Sequence, residues 1–78
     1  MSNNIQYSIV IPSFNEEGSV IILLEKIRSI FLSKVQASEF EIVFVDDGST
    51  DNSYFLVENW MHNTKMQMTL IRFRTNRG

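Results

Sequence analysis

Ile42-Val-Phe-Val45 is an apolar run that passes without a break into Asp46-Asp47-Gly48, and this junction restricts the fold more than any other part of the chain. A continuous apolar run bounded by turn residues reads as a strand covered on both faces of a parallel sheet. The predicted strand spans Phe40 to Val45, so Asp46 and Asp47 stand at its carboxyl end. In open α/β sheets that edge carries the ligand crevice, because the loops after the strands splay apart there. Adjacent carboxylates at such a place are costly to bury and require a reason.

The rest of the pattern extends this strand into an alternating order. Ile5 to Ile11 is a first strand, ended by Pro12, whose missing N–H stops central pairing. Ser13 to Gly18 is a loop, and from Ser19 the apolar positions Val20, Leu23, Leu24, Ile27 and Phe31 recur at helical spacing up to about Val35. Gln36 to Glu39 links this helix to Phe40. After Asp51, a second helix buries Leu56, Val57, Trp60 and Met61 and ends in His62 to Lys65, before a third strand from Met68 to Phe73. The order βαβαβ, with right-handed crossovers, predicts an α/β fold with a three-stranded parallel half-sheet. The sequence stops five residues after Phe73, and this is about half of what such a domain holds. The expectation is an incomplete sheet whose exposed edges favour self-association.

Composition narrows the function classes. Apolar content of 44%, charged content of 21% and a formal charge of -2 are ordinary for a globular chain and argue against a nucleic-acid or membrane-surface binder. The absence of cysteine excludes a disulfide framework, a thiolate metal site and thiol redox chemistry. Met1-Ser-Asn-Asn4 lacks the charged start of a secretory signal, and Glu25, Lys26 and Arg28 interrupt the longest apolar helix. The expected location is cytoplasmic, or the cytoplasmic face of a membrane if a longer parent carries later membrane-spanning segments.

Three constellations carry chemistry. At the end of the second strand, Asp46 is the favoured ligand contact, since an ionised carboxylate accepts from the N–H groups of a base or the hydroxyls of a ribose. Asp47 either orders the loop or approaches a metal, Gly48 permits a sharp turn, and Ser49, Thr50 and Asp51 cap the following helix. At the end of the first strand, Pro12-Ser-Phe-Asn-Glu-Glu17 faces the same crevice. Phe14 either stacks on a planar base or fills the core, Asn15 bonds its own backbone, Glu16 reaches a base or ribose, and Glu17 answers the helix dipole. At the end of the third strand, Arg72, Arg74 and Arg77 with Asn76 either meet a diphosphate or form a solvated strand end. His62 fits a cation at a helix C-terminus, and Trp60 fits the core.

No Gly-x-Gly-x-x-Gly follows the first strand and no Gly-Lys-Ser/Thr loop is present, which disfavours sites that cradle phosphates on glycine amides. A phosphoacceptor receiver domain needs a further acceptor Asp and a Lys after later strands, and neither occurs. A non-catalytic doubly wound module that binds a nucleotide or a protein is the alternative from another class.

Val10-Ile-Pro-Ser-Phe-Asn-Glu-Glu17, followed at this separation by Val43-Phe-Val-Asp-Asp-Gly-Ser-Thr-Asp51, resembles the N-terminal part of family 2 glycosyltransferases with the GT-A fold. Within that family the likeness is strongest to the dolichol-phosphate mannose synthase-like, polyprenyl-phosphate sugar transferases. The resemblance spans residues 1–78 and only the first part of the family's catalytic domain. It implies a UDP- or GDP-sugar donor held by Pro12, Phe14, Glu16, Asp46 and Asp47, and as acceptor a hydroxyl or, in the polyprenyl subgroup, a polyprenyl phosphate. Asn76-Arg77-Gly78 resembles the family's Asn-x-Gly segment. Phe14 stands where the family usually has Tyr, and Thr75 where the subgroup often has Arg.

The Asp-x-Asp motif of the family, which holds the metal and the donor diphosphate, has no counterpart in this sequence, nor does the later catalytic base. The resemblance therefore implies no catalytic and no metal-binding residue in this chain, and Mg2+ or Mn2+ only for a full-length parent. The reaction implied for such a parent is inverting sugar transfer, with the metal neutralising the leaving diphosphate. Residues 1–78 are expected to be a nucleotide-binding portion with negligible turnover.

Overall fold

The computed structural model describes residues 5–73. Strand β1 (Tyr7–Ser13), helix α1 (Val20–Leu32), strand β2 (Phe40–Asp46), helix α2 (Ser53–Thr64) and strand β3 (Met68–Arg72) follow in the predicted βαβαβ order. A short 3-10 turn at Ala37–Glu39 leads into β2. The three strands form one parallel sheet in the order β1-β2-β3, with Ser13 opposite Asp46 and Asp46 opposite Arg72. All three strands therefore end at one level.

The core lies on one side of this sheet. Phe40, Ile42 and Phe44 of β2 are fully buried, and they share a face with Ile11 of β1, which pairs with Phe44. Val20 and Leu24 of α1 and Val57 and Trp60 of α2 close over that face. Each buried phenylalanine contributes about 2 to 3 kcal/mol of transfer free energy. The indole N–H of Trp60 donates to Glu25 Oε2 at 2.8 Å, so its polar atom is satisfied and the two helices are linked.

The opposite face departs from the expectation of a strand covered on both sides. Strand alternation turns Val43 and Val45 away from the helices, where both are half-buried, beside exposed Val10 and Pro12 of β1 and exposed Ile71 of β3. Among the described residues no helix covers this face. The four-residue apolar run therefore reflects the preference of β-branched side chains for a pleated surface as much as burial.

The ends of β1 and α1 also differ from the prediction, whereas α2 ends within the predicted His62 to Lys65. β1 continues through Pro12, which pairs with Val45. Ser13 O accepts the Asp47 amide at 2.8 Å, so Ser13 turns its polar backbone groups toward β2 and Pro12 turns its ring nitrogen outward. Pro12 removes no ladder bond because β1 is an edge strand among the described residues. α1 ends at Leu32 rather than near Val35, where the amides of Lys34 and Val35 both turn back to Phe31 O. α2 ends in a left-handed residue at Lys65, φ 56°, whose N–H donates to Met61 O.

Candidate functional site

The loops after β1 and β2 are joined to each other at the carboxyl edge of the sheet. Asn15 has φ 51°, a left-handed conformation that asparagine tolerates better than most residues. Its amide donates to Ser49 Oγ at 2.8 Å, and its side-chain Oδ1 accepts the amides of Thr50 at 2.8 Å and Asp51 at 3.3 Å. Asn15 thus bonds the neighbouring loop rather than its own backbone, which its sequence context alone predicts. Glu17 shows the same inversion: its carboxylate accepts the Asn52 amide at the start of α2 at 3.1 Å and not an amide of α1.

A second row of bonds runs beneath this one. The Glu16 amide donates to Ser53 Oγ at 2.8 Å, and Ser53 Oγ donates in turn to Asp51 Oδ1. Asp51 also accepts the Ser53 amide at 2.9 Å and, through Oδ2, the Glu17 amide at 3.2 Å. Partial desolvation acts to raise the Asp51 carboxyl, but the Ser53 hydroxyl and the amide donors outweigh it and hold its pKa below the ordinary value. The capping role expected of Asp51 is present. Ser49 instead serves the Asn15 amide.

The two strand-end acids differ in burial. Asp46 is 0% exposed and lies on the helix side. Its Oδ2 accepts the Ser49 amide at 3.1 Å and lies 3.7 Å from Arg72 Nε, while Oδ1 is buried without a hydrogen-bond partner. Asp47 is exposed. Gly48 follows with φ 82°, a conformation that its missing Cβ makes available. The carboxylate favoured as a ligand contact is thus enclosed by protein, and its neighbour faces outward.

Of the five predicted site residues, Pro12, Phe14, Glu16 and Asp47 are exposed at this edge. Phe14 is 53% exposed, so it is not a core aromatic. Glu16 accepts from Ser19 Oγ at 3.0 Å and, with Pro12 and Ser13, lines a cleft of about 280 Å³ between the end of β1 and the start of α1. Asp46 alone is removed from solvent. Val45, absent from the predicted set, pairs with Pro12 on the uncovered face. Glu41 is the signal that could have found it: one polar residue in that row, against Phe40, Ile42 and Phe44 in the other, marks the odd-numbered row of β2 as the outer one.

Arg72 belongs to this site through Asp46, whereas Arg74, Thr75, Asn76, Arg77 and Gly78 lie outside the described residues. His62 is exposed in the last turn of α2. Among the described residues no three His, Cys, Asp or Glu side chains converge as a metal site, and Asp46 is engaged by Arg72 and Ser49; the Mg2+ or Mn2+ of the resemblance is an expectation for a full-length parent only. No helix of the described residues is long and apolar enough to cross a membrane.

A parallel sheet ending in two cross-braced loops is shared by many nucleotide-binding folds, and comparison with known proteins separates them. Residues 8–78 match the model of glycosyl transferase family 2. The chain belongs to that family. A dolichyl-phosphate beta-glucosyltransferase of Saccharomyces cerevisiae is 41% identical over 91% of the chain and 22% of its own length. An undecaprenyl-phosphate 4-deoxy-4-formamido-L-arabinose transferase of Proteus mirabilis is 49% identical over 65% of the chain and 15% of its own length. The crystal structure of TarS 1-349 of S. aureus superposes with a TM-score of 0.74 at 30% identity, covering 92% of the chain and 20% of that structure. The βαβαβ unit is accordingly the N-terminal part of the GT-A fold of glycosyl transferase family 2. The chain spans about a fifth or less of the length of these relatives.

Proposed function

We propose that this chain binds the nucleoside end of a UDP- or GDP-sugar at the carboxyl ends of β1 and β2, on the sheet face that carries no helix among the described residues. One observation carries the reading. Pro12 and Val45 are paired neighbours on that face, and Phe14 and Asp47 follow each of them two residues later with exposed side chains. An apolar floor, an aromatic ring and an exposed carboxylate suit a planar base with ring N–H groups: the ring and floor take its faces, and the carboxylate accepts its edge. Asp47 takes the contact first assigned to Asp46, which has no surface to offer. Glu16, which lines the cleft, is the proposed acceptor for a ribose hydroxyl.

The relatives named for dolichyl-phosphate and undecaprenyl-phosphate transfer support a polyprenyl phosphate as acceptor of the sugar in a whole protein of this kind. The residues of this chain bind and orient the donor in that reaction. The chain alone is proposed to hold a donor without turning it over, since its sequence has no counterpart of the family's Asp-x-Asp motif.

Calorimetric titration of the chain with UDP-glucose and GDP-mannose tests the binding. Saturable heat that Asp47→Ala abolishes and Phe14→Leu weakens is expected. Heat that survives Asp47→Ala unchanged would refute the site.

A further inference from the structure

Arg72 touches more of the site than its position at the end of β3 requires. Its Nε lies 3.7 Å from Asp46 Oδ2, and its Nη2 donates to Ser49 O at 3.4 Å. The guanidinium also lies over the ring of Tyr54, 4.4 Å from the centroid, and 5.4 Å from that of Phe55. One side chain of β3 therefore meets the end of β2, the turn after it and the first turn of α2. A planar, delocalised cation can do this where an ammonium cannot, because it stacks on rings while its edge donates.

The partner that needs it is Asp46. An ionised carboxylate removed from water is costly unless charge or donors compensate it. The Ser49 amide supplies one donor, Oδ1 has none, and Arg72 is the cation that the described residues bring to it. Without Arg72, Asp46 can keep its charge only by turning its side chain toward solvent. Successive side chains of a strand point to opposite faces, so turning Asp46 outward turns Asp47 away from the outer face.

We propose that Arg72 is a positioning residue of the nucleotide site: by holding Asp46 inward and the Ser49 carbonyl in place, it fixes the turn that presents Asp47 to the base. In this role it acts through the protein, its guanidinium facing the Asp46 carboxylate, the Ser49 carbonyl and the Tyr54 ring. The proposal rests on the reading of Asp47 as the base contact. It makes the third strand, through a side chain on the helix side of the sheet, a determinant of affinity.

The discriminating variant is a rescue. Asp46→Asn keeps an acceptor for the Ser49 amide but carries no charge, so it tolerates burial without Arg72. In the full chain, Arg72→Met is expected to speed hydrogen exchange of the Ser49 amide by about tenfold or more, with the Trp60 indole N–H unchanged. Arg72→Met with Asp46→Asn is expected to return that exchange to within about threefold of the parent chain. The affinity for UDP-glucose or GDP-mannose should fall and recover in step. If Arg72 served only to pack on Tyr54, the second substitution would restore nothing, and that result would overturn the proposal, as would unchanged Ser49 exchange in Arg72→Met. Should Arg72→Met fail to fold, a folded double variant supports the proposal and an unfolded one overturns it. If the parent chain binds neither nucleotide sugar, the nucleotide reading fails, whereas the exchange measurements still decide whether Arg72 holds Asp46.

Discussion

The side-chain Oδ1 of Asn15 accepts the backbone amide of Thr50 at 2.8 Å, joining residues 35 positions apart in the chain. This bond and its companion to Asp51 make the β1 and β2 loops one rigid edge. Asn15→Ala loses both acceptors and places a Cβ-bearing residue of weaker left-handed preference at φ 51°, so a loss of about 1 to 3 kcal/mol is expected. Asn15→Gly relieves the backbone but not the lost bonds, and should lie between the two. Urea unfolding of the three chains checks the order.

Trp60 and Glu25 provide a second test. The indole N–H has one protein partner, Glu25 Oε2 at 2.8 Å, and the ring is buried. Glu25→Ala should cost about 1 kcal/mol, while Glu25→Gln, which retains a carbonyl acceptor, should stay within about 0.5 kcal/mol of the parent. Thermal unfolding followed by Trp60 fluorescence reads both.

Lys65 closes α2 at φ 56°, where glycine carries no steric penalty. Lys65→Gly is expected to raise stability by about 0.5 to 1 kcal/mol, the relief of left-handed strain exceeding the added entropy of the unfolded chain. A higher urea midpoint with an unchanged slope is the expected result.

Acid sensitivity follows from Asp51. Its folded pKa is lowered, because the Ser53 and Glu17 donors outweigh desolvation. Its stabilising contribution is therefore present above the unfolded value of about 3.9 and is lost as pH falls through the lower folded value. Asp51→Asn should be less stable than the parent near neutrality, with the gap closing below about pH 4. Urea midpoints between pH 3 and 7 measure that gap.

The element order was legible because each period is undisturbed. Val20, Leu24, Ile27 and Phe31 keep helical spacing, and Phe40 to Val45 is apolar throughout apart from Glu41. The family was legible in the paired strand-end motifs. The roles within those motifs were not. Asp46 and Asp47 are adjacent and chemically alike, so what separates them is which strand face the helices cover, a property of the crossovers rather than of either residue. Asn15, Glu17 and Arg72 escaped for a related reason. Their hydrogen-bond partners lie 23 to 36 positions away, and no local pattern specifies a bond that only the assembled sheet edge creates. Pro12 misled in the other direction, since a proline that ends a central strand is harmless on an edge.

The central claim is that the exposed acid, not the buried one, meets the base. Backbone amide shifts of the parent chain, Asp47→Asn and Asp46→Asn, recorded during titration with UDP-glucose and GDP-mannose, test it directly. Saturable shifts at residues 12 to 16 and 45 to 49 are predicted for the parent and for Asp46→Asn, with at least about a tenfold weaker Kd for Asp47→Asn, as the loss of a charge-assisted bond implies. Equal affinity in the parent and in Asp47→Asn, with binding lost in Asp46→Asn, would contradict the account.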